Sequence, residues 1–504
     1  MTVNWVPLPA GTRAATSEPL PRDVRDTSRS GMRVQSTRPW IAYVALIGLF
    51  ALMGPYSLNR VPDAGGQNAA AVRTAAAQSG GGVEQGAKSR RAAVLLLGVF
   101  AAFTLSAVRQ RRRTYHGSWE ADQPRAPGDP RYAPLVWHSA SPRARSALDP
   151  PMRRTALSWL LAAYVGVAAA SVAWADDPAF TARRLIAFVI IAFAAFVLAQ
   201  AWSLRDVVYF AIVVNTATLL VGLGAAILHH DFKPFDPAFR FAGIAHPNVH
   251  GLESACLAMA AVCALRLGGR RVPLVGLLMF SLALLYLTKS RTSVGAVVLA
   301  GAVCAIVSVP RRRLLTVGVP IVVLASAAIL FVPDVAGRAH EAALLERSSR
   351  SEDPATLSGR TLVWTDLMVY AGERPVLGYG FDSFWTAEHI ADVSLRRGWV
   401  IVQAHSGYLQ ELLDTGGVGL SILVLVLIGG LRAAWRRYRA TRSDLALYAL
   451  AMFVWYIATL IPEAVDVAHI STFLMMILLA HFALRNAAPD DDVAEASRLA
   501  PATR

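Results

Sequence analysis

Charge is scarce in this chain. Only 16% of its 504 residues are Asp, Glu, Lys or Arg, where a soluble domain carries about a quarter. Acidic residues are the scarcer sign, 34 against 49 Lys and Arg, for a formal net charge of +15. Cysteine is nearly absent. Cys256, Cys263 and Cys304 all fall inside apolar runs, so the disulfide framework of a small secreted domain is excluded. The sequence also has no glycine-rich nucleotide-binding loop and no internal repeat. What it has in abundance is apolar surface: 55% of the residues are hydrophobic. Low charge combined with long apolar runs makes lipid the solvent for much of the chain, and the expected class is an all-α polytopic integral membrane protein.

A helix crosses the hydrocarbon core with about 20 predominantly apolar residues. Twelve runs fit, at 39–57, 92–108, 157–175, 185–201, 207–228, 249–267, 272–288, 292–309, 314–332, 412–431, 444–461 and 468–485. Orientation follows from Lys and Arg in the connections. Pro310-Arg311-Arg312-Arg313 and the cluster from Arg432 to Arg442 alternate with the uncharged-to-acidic 462–467, which puts both termini in the cytoplasm. The basic excess is then a topology signal, and no nucleic-acid partner is expected.

Between the spans, residues 1–38 read as a disordered cytoplasmic tail, too long and polar for the charged region of a cleaved signal. Spans one and two (39–108) enclose the low-complexity periplasmic segment 63–91, and 109–156 is a basic, Pro- and Ser-rich cytoplasmic linker. Spans three to nine occupy 157–332, spans ten to twelve occupy 412–485, and 486–504 is a second cytoplasmic tail.

The remaining segment, 333–411, is far longer than an ordinary connection and is not disordered in composition. From Gly359 to Tyr370, Val363, Leu367 and Tyr370 recur at helical spacing with Trp364 and Met368 beside them, which predicts an amphipathic helix at the outer interface. The turn-rich Pro375-Val-Leu-Gly378-Tyr-Gly380 follows, and His405-Ser406-Gly407 leads into span ten. This loop is expected to be folded and external.

Four placements on the outer side carry chemistry: Arg291 where two spans meet, Arg360 at the start of the interfacial helix, His405 before span ten, and Phe239-Arg240-Phe241 to His246-Pro247-Asn248 before span six. Each has an ordinary reading. A span-end arginine snorkels to headgroups, and a lone histidine at a helix entrance is commonly a satisfied polar group. His246 and His250 are four apart, but Pro247 is expected to start the helix and leave His246 outside it; with no third ligand evident, no metal is expected. Glu253 lies inside a span, where an acid faces a cavity or a partner. Convergence on one face favours chemistry. Guanidinium groups grip phosphate oxygens in a fork and stay charged. A histidine can take the proton of an attacking hydroxyl, and arginines can stabilise a departing pyrophosphate. With no Asp-x-Asp motif outside, no cofactor is expected.

These residues resemble the O-antigen ligase/polymerase superfamily of bacterial envelope glycosyltransferases. The resemblance runs from about residue 240 to 430. It rests on His246-Pro247-Asn248, Ser290-Arg291-Thr292, Gly359-Arg360 to Trp364 with Pro375 to Gly380, and His405-Ser406, nine intervening residues and then Gly416-Gly417-Val418-Gly419. It implies a metal-independent, inverting transferase at the periplasmic face of the inner membrane, with an undecaprenyl-pyrophosphate-linked glycan as donor. It further implies that Arg291 and Arg360 bind the pyrophosphate and that His405 activates the acceptor hydroxyl. Arg240, His246, Asn248, Glu253, Trp364 and Ser406 are then the candidate substrate-binding residues, Ser406 standing where Asn is common. Glycines 416, 417 and 419 are expected to let span ten pack closely against a neighbour. The acceptor stays open between lipid A core and a lipid-linked repeat unit, with the tail, linker and His-Pro-Asn element leaning toward exopolysaccharide polymerases, and a chain-length regulator is a further partner to consider. The alternative class is a secondary transporter of lipid-linked saccharide. Against it, the long loops give no six-plus-six division and the polar residues gather at the outer face instead of the midplane. A non-catalytic envelope scaffold would leave the Arg/Arg/His set unexplained.

Overall fold

A computed structural model describes residues 156–199, 202–313, 316, 359–464 and 472–486. The expected spans 39–57, 92–108 and 314–332, both tails and nearly all of the linker lie outside the described residues, as does the first part of the long loop. Among the described residues the fold is all-helical. Six helices are long and apolar enough to cross a membrane: α2 (Pro178–Leu198), α3 (Leu204–Leu228), α4 (Pro247–Arg266), α5 (Arg271–Thr288), α6 (Arg291–Ser308) and α9 (Gly407–Thr441). Shorter helices are α1 (Ala156–Ala170), α7 (Arg360–Glu373), α8 (Ala387–Arg397), α10 (Asp444–Thr459) and α11 (Thr472–Asn486). The protein is a multi-pass membrane protein.

Local chemistry sets the helix ends. Asp177 caps α2 by accepting from the Phe180 amide, with Pro178 in the first turn. Ser203 and Asp206 form a reciprocal capping box on α3. Three ends differ most from the sequence expectation: α2 starts seven residues before 185, because Asp177-Pro178 is a stronger start signal than the apolar run, α9 starts at Gly407, because Ser406 caps it there, and α9 runs on to Thr441, ten residues past 431.

α4 is the central helix. It lies against α3, α5, α6 and α10, and 72% of its apolar window is buried, against 17% for α6. Its buried positions are mostly small, including Gly251, Ser254, Ala255, Ala258, Ala261 and Ala264, and small residues let neighbouring backbones approach. At Gly251 an added Cβ would stand 2.7 Å from Ser293 Oγ and 2.8 Å from Ser290 Cβ. This glycine therefore allows the first turn of α6, with Arg291 and Thr292, to sit against the first turn of α4. Apolar side chains such as Met279, Leu282, Val298 and Ile306 face outward from α5 and α6, as a lipid-facing surface requires.

Residues 359–406 are folded, as expected. Val363, Leu367 and Ala371 of α7 enter a core with Tyr379, Phe384, Val393, Ile401, Ala404, Leu409 and Leu413. Tyr370 and Trp364 are partly buried at its edge, while Met368 is exposed. The 35-residue α9 is broken at Gly416, where φ is 66° and ψ −167°. The segment Pro375–Gly380 fills the break. Gly417 N–H donates to Pro375 O at 2.8 Å, and Tyr379 and Gly380 N–H donate to Leu413 O and Asp414 O, both at 2.8 Å. The glycine cluster thus receives this turn, and is not a smooth helix-packing face.

Candidate active site

Several connections between helices meet at one carboxylate. Glu463, just past the end of α10, accepts from Arg360 Nη2 at 2.7 Å and from Asn248 Nδ2 at 2.6 Å, both on Oε1. The Thr292 side chain reaches the same carboxyl. Asn248 in turn accepts from Arg240 Nη2 at 3.1 Å through Oδ1, and Arg240 Nε donates to Thr288 O at 3.2 Å. Two guanidinium groups from distant parts of the chain are therefore joined through one amide and one carboxylate. Burial pushes the Glu463 carboxyl up from its ordinary range, opposed by the Arg360 guanidinium and by the hydrogen bonds from Arg360, Asn248 and Thr292.

Local sequence explains how each side chain arrives. Pro247 begins α4 and His246 caps it, its Nδ1 accepting from Asn248 N–H at 3.2 Å. Asn248 is consequently in the first helical turn and His246 outside the helix, as the proline predicts. Lys289 ends α5 in the left-handed region at φ 49°, and Ser290 caps α6. The chain therefore turns tightly enough to keep Arg291 and Thr292 at the adjoining ends of both helices. Gly359, at φ 80°, lets the chain turn into α7 with Arg360 as its first residue.

His405 sits in this cluster under unusual constraint. Its backbone is left-handed, φ 51°, a conformation uncommon outside glycine. The flanking peptides are pinned on both sides. Trp364 Nε1 donates to Ala404 O at 3.0 Å, and Ala404 N–H donates to Gln410 Oε1 at 3.2 Å. Beyond His405, Gly407 N–H donates to Leu460 O at 2.8 Å and Glu463 O at 3.0 Å. Gln410 is itself held by Trp385 Nε1 at 2.8 Å and by Asp414 Oδ2, to which its amide donates at 2.9 Å. The Trp399 ring lies 5.8 Å from the imidazole. His405 Nδ1 is buried and has no hydrogen-bond partner among the described residues. Burial, then the Arg360 guanidinium and His246, push the imidazole down to about 3, so it is neutral at pH 7, and an anion bound beside Arg360 would oppose the second of these causes.

Of the residues singled out from sequence, Arg240, Asn248 and Arg360 are joined in one network, and His246 and Arg360 act electrostatically on His405. Arg291 lies one residue from Thr292 of that network. Ser406 caps α9, and the Trp364 indole N–H is used by Ala404. Glu253 is not in the network: it pairs with His250, Nδ1 to Oε2 2.7 Å, both buried in α4, where Phe241 stacks on the His250 ring. Glu463 and Gln410 were missed. The only signal for Glu463 in the sequence is an acid in a short connection between two apolar runs.

The arrangement offers guanidinium donors for an anion, a neutral imidazole for a proton, and a framework that holds both rigidly. Residues 276–424 match the O-antigen ligase family. The chain is also 23% identical over 132 residues to the exopolysaccharide production protein ExoQ of Rhizobium meliloti (strain 1021), a match spanning 24% of this chain and 30% of that relative.

Proposed function

We propose that this multi-pass membrane protein, which carries an O-antigen ligase family domain over residues 276–424, transfers a glycan from undecaprenyl pyrophosphate to a sugar hydroxyl at the periplasmic face of the bacterial inner membrane. Arg360 and Arg291 hold the pyrophosphate. His405 accepts the proton of the acceptor hydroxyl as its oxygen attacks the anomeric carbon. The bond from that carbon to the phosphate oxygen breaks, its electron pair leaves with undecaprenyl pyrophosphate, and the configuration inverts. Arg240, Asn248 and His246 shape the donor side, and no metal takes part.

The observation that carries this reading is the neutral, unpartnered His405 Nδ1 placed within the electrostatic reach of Arg360. A proton acceptor beside an anion grip is what an inverting transfer from a diphosphate requires. A lipid-linked repeat is the acceptor we favour, since the ExoQ relative is by name an exopolysaccharide production protein.

The test supplies purified protein with an undecaprenyl-pyrophosphate-linked oligosaccharide and no other acceptor. A ladder of longer lipid-linked glycans, absent with His405→Ala, is the expected result. A product formed only after lipid A core is added would make the enzyme a ligase. Undiminished activity of His405→Ala would overturn the mechanism. A reporter fused after residue 380 should read as periplasmic and one at 130 as cytoplasmic; the reverse would remove the periplasmic site.

A further inference from the structure

We propose that Glu463 is the counter-charge of the diphosphate grip: its carboxylate holds Arg360 and Asn248 in place and offsets one positive charge of the cluster, so that the lipid diphosphate product can leave. The inference rests on the diphosphate reading above and deepens it.

Three facts lead to it. Glu463 is buried, and its Oε1 receives Arg360 at 2.7 Å and Asn248 at 2.6 Å. A glutamine oxygen could accept the same two hydrogen bonds, so what the carboxylate adds is charge. Second, the cations outnumber it: Arg240 and Arg360 lie at the two ends of the chain through Asn248 and Glu463, and Arg291 adjoins Thr292, which also bonds Glu463. Third, the backbone oxygen of Glu463 accepts from Gly407 N–H at 3.0 Å. The counter-charge is therefore mounted on the same peptide framework that fixes His405, and cannot shift without disturbing it.

The chemistry gives this charge a task. A glycosyl diphosphate lipid has one ionised oxygen on each phosphate. When the glycosidic C–O bond breaks, the electron pair stays on the terminal phosphate, and the departing lipid diphosphate is more negative than the donor was. A cluster of guanidinium groups alone would bind product more tightly than substrate and stall after one transfer. One fixed carboxylate weakens both, and weakens the more highly charged product the more.

The test measures binding of geranylgeranyl diphosphate, a product-like probe, to full-length protein in detergent. Glu463→Gln should bind it on the order of tenfold tighter than wild type. Glu463→Asp, which keeps the charge, should stay within about twofold, and Arg360→Ala should bind about tenfold weaker. In turnover, Glu463→Gln should show a lower kcat with stronger inhibition by added probe, a pattern that loss of folded protein alone does not produce. Should Glu463→Gln not fold, Thr292→Lys brings a cation to the same carboxylate and should tighten the probe likewise. Unchanged or weaker probe binding in the folded neutralised variant would overturn the proposal. If Arg360→Ala weakens the probe while Glu463→Gln does not tighten it, the diphosphate reading stands and the counter-charge fails. If Arg360→Ala binds as wild type does, the diphosphate reading fails as well.

Discussion

Trp364 donates its indole N–H to the Ala404 carbonyl at 3.0 Å, one residue before His405. The opposite side of the Ala404 residue is fixed as well, its N–H donating to Gln410 Oε1 at 3.2 Å. A histidine held at φ 51° stays there only while its surroundings over-determine it. Trp364 therefore acts on the site through the backbone that carries His405.

This relationship predicts the behaviour of Trp364→Phe. The ring keeps most of the packing against the loop core and loses only the donor, leaving Ala404 O without its partner. The loss of one such bond is worth about 1 kcal/mol, and the histidine becomes less well placed. We expect kcat to fall about fivefold, the rate equivalent of that energy, with the KM for donor little changed. A rise in KM with kcat preserved would show that Trp364 contacts the donor instead.

Gly416 gives a sharper structural test. Its φ is 66°, and an added Cβ would lie 2.2 Å from Val376 O, backbone that cannot step aside. Gly416→Ala should destabilise the protein by about 3 kcal/mol or more. At Gly417 the nearest contact would be Pro375 O at 3.3 Å with no positive φ, so Gly417→Ala should be far milder. Thermal unfolding of the two variants in detergent checks this; equal melting temperatures would mean that the docked turn does not depend on the glycine.

The pH dependence of His405 has a definite sign. The folded imidazole is pushed down to about 3, while an unfolded histidine titrates near 6.5. Between those values the unfolded chain binds the proton and the folded chain does not, so stability falls as pH drops through that window. Replacing His405 by Gln should flatten the loss of stability between about pH 6.5 and 4. For the free enzyme, kcat/KM should show no limb near 6.5 from this residue. A limb at 6.5 that disappears with an alternative base at position 405 would contradict the burial argument.

Much of this was legible from sequence because the signals were local. Among the described residues apolar runs gave the six long helices, Pro247 gave the start of α4, and the period of Val363 and Leu367 gave α7. Arg360, Arg240, Asn248 and His405 could be named as candidates because their residue types suit the proposed diphosphate donor and acceptor hydroxyl. Glu463 could not, since its role depends on partners 103 and 215 positions away in the chain. The break at Gly416 was hidden for a related reason: a glycine within an apolar run reads as helix packing until the turn that occupies the gap is seen. The Glu253 pair was closer to hand, because His250 and Glu253 are three apart on one helix, a spacing that favours side-chain contact.

In the proposed reaction His405 and Arg360 act together on a lipid diphosphate donor. It is tested most directly by counting undecaprenyl pyrophosphate released per glycosidic bond formed, for wild type, His405→Ala and Arg360→Lys. One lipid diphosphate should be released per bond by wild type. His405→Ala should release almost none, and Arg360→Lys, which keeps the charge and loses the planar fork, should be slowed at least tenfold. Full release by both variants, or bond formation by wild type without release of lipid diphosphate, would contradict the account.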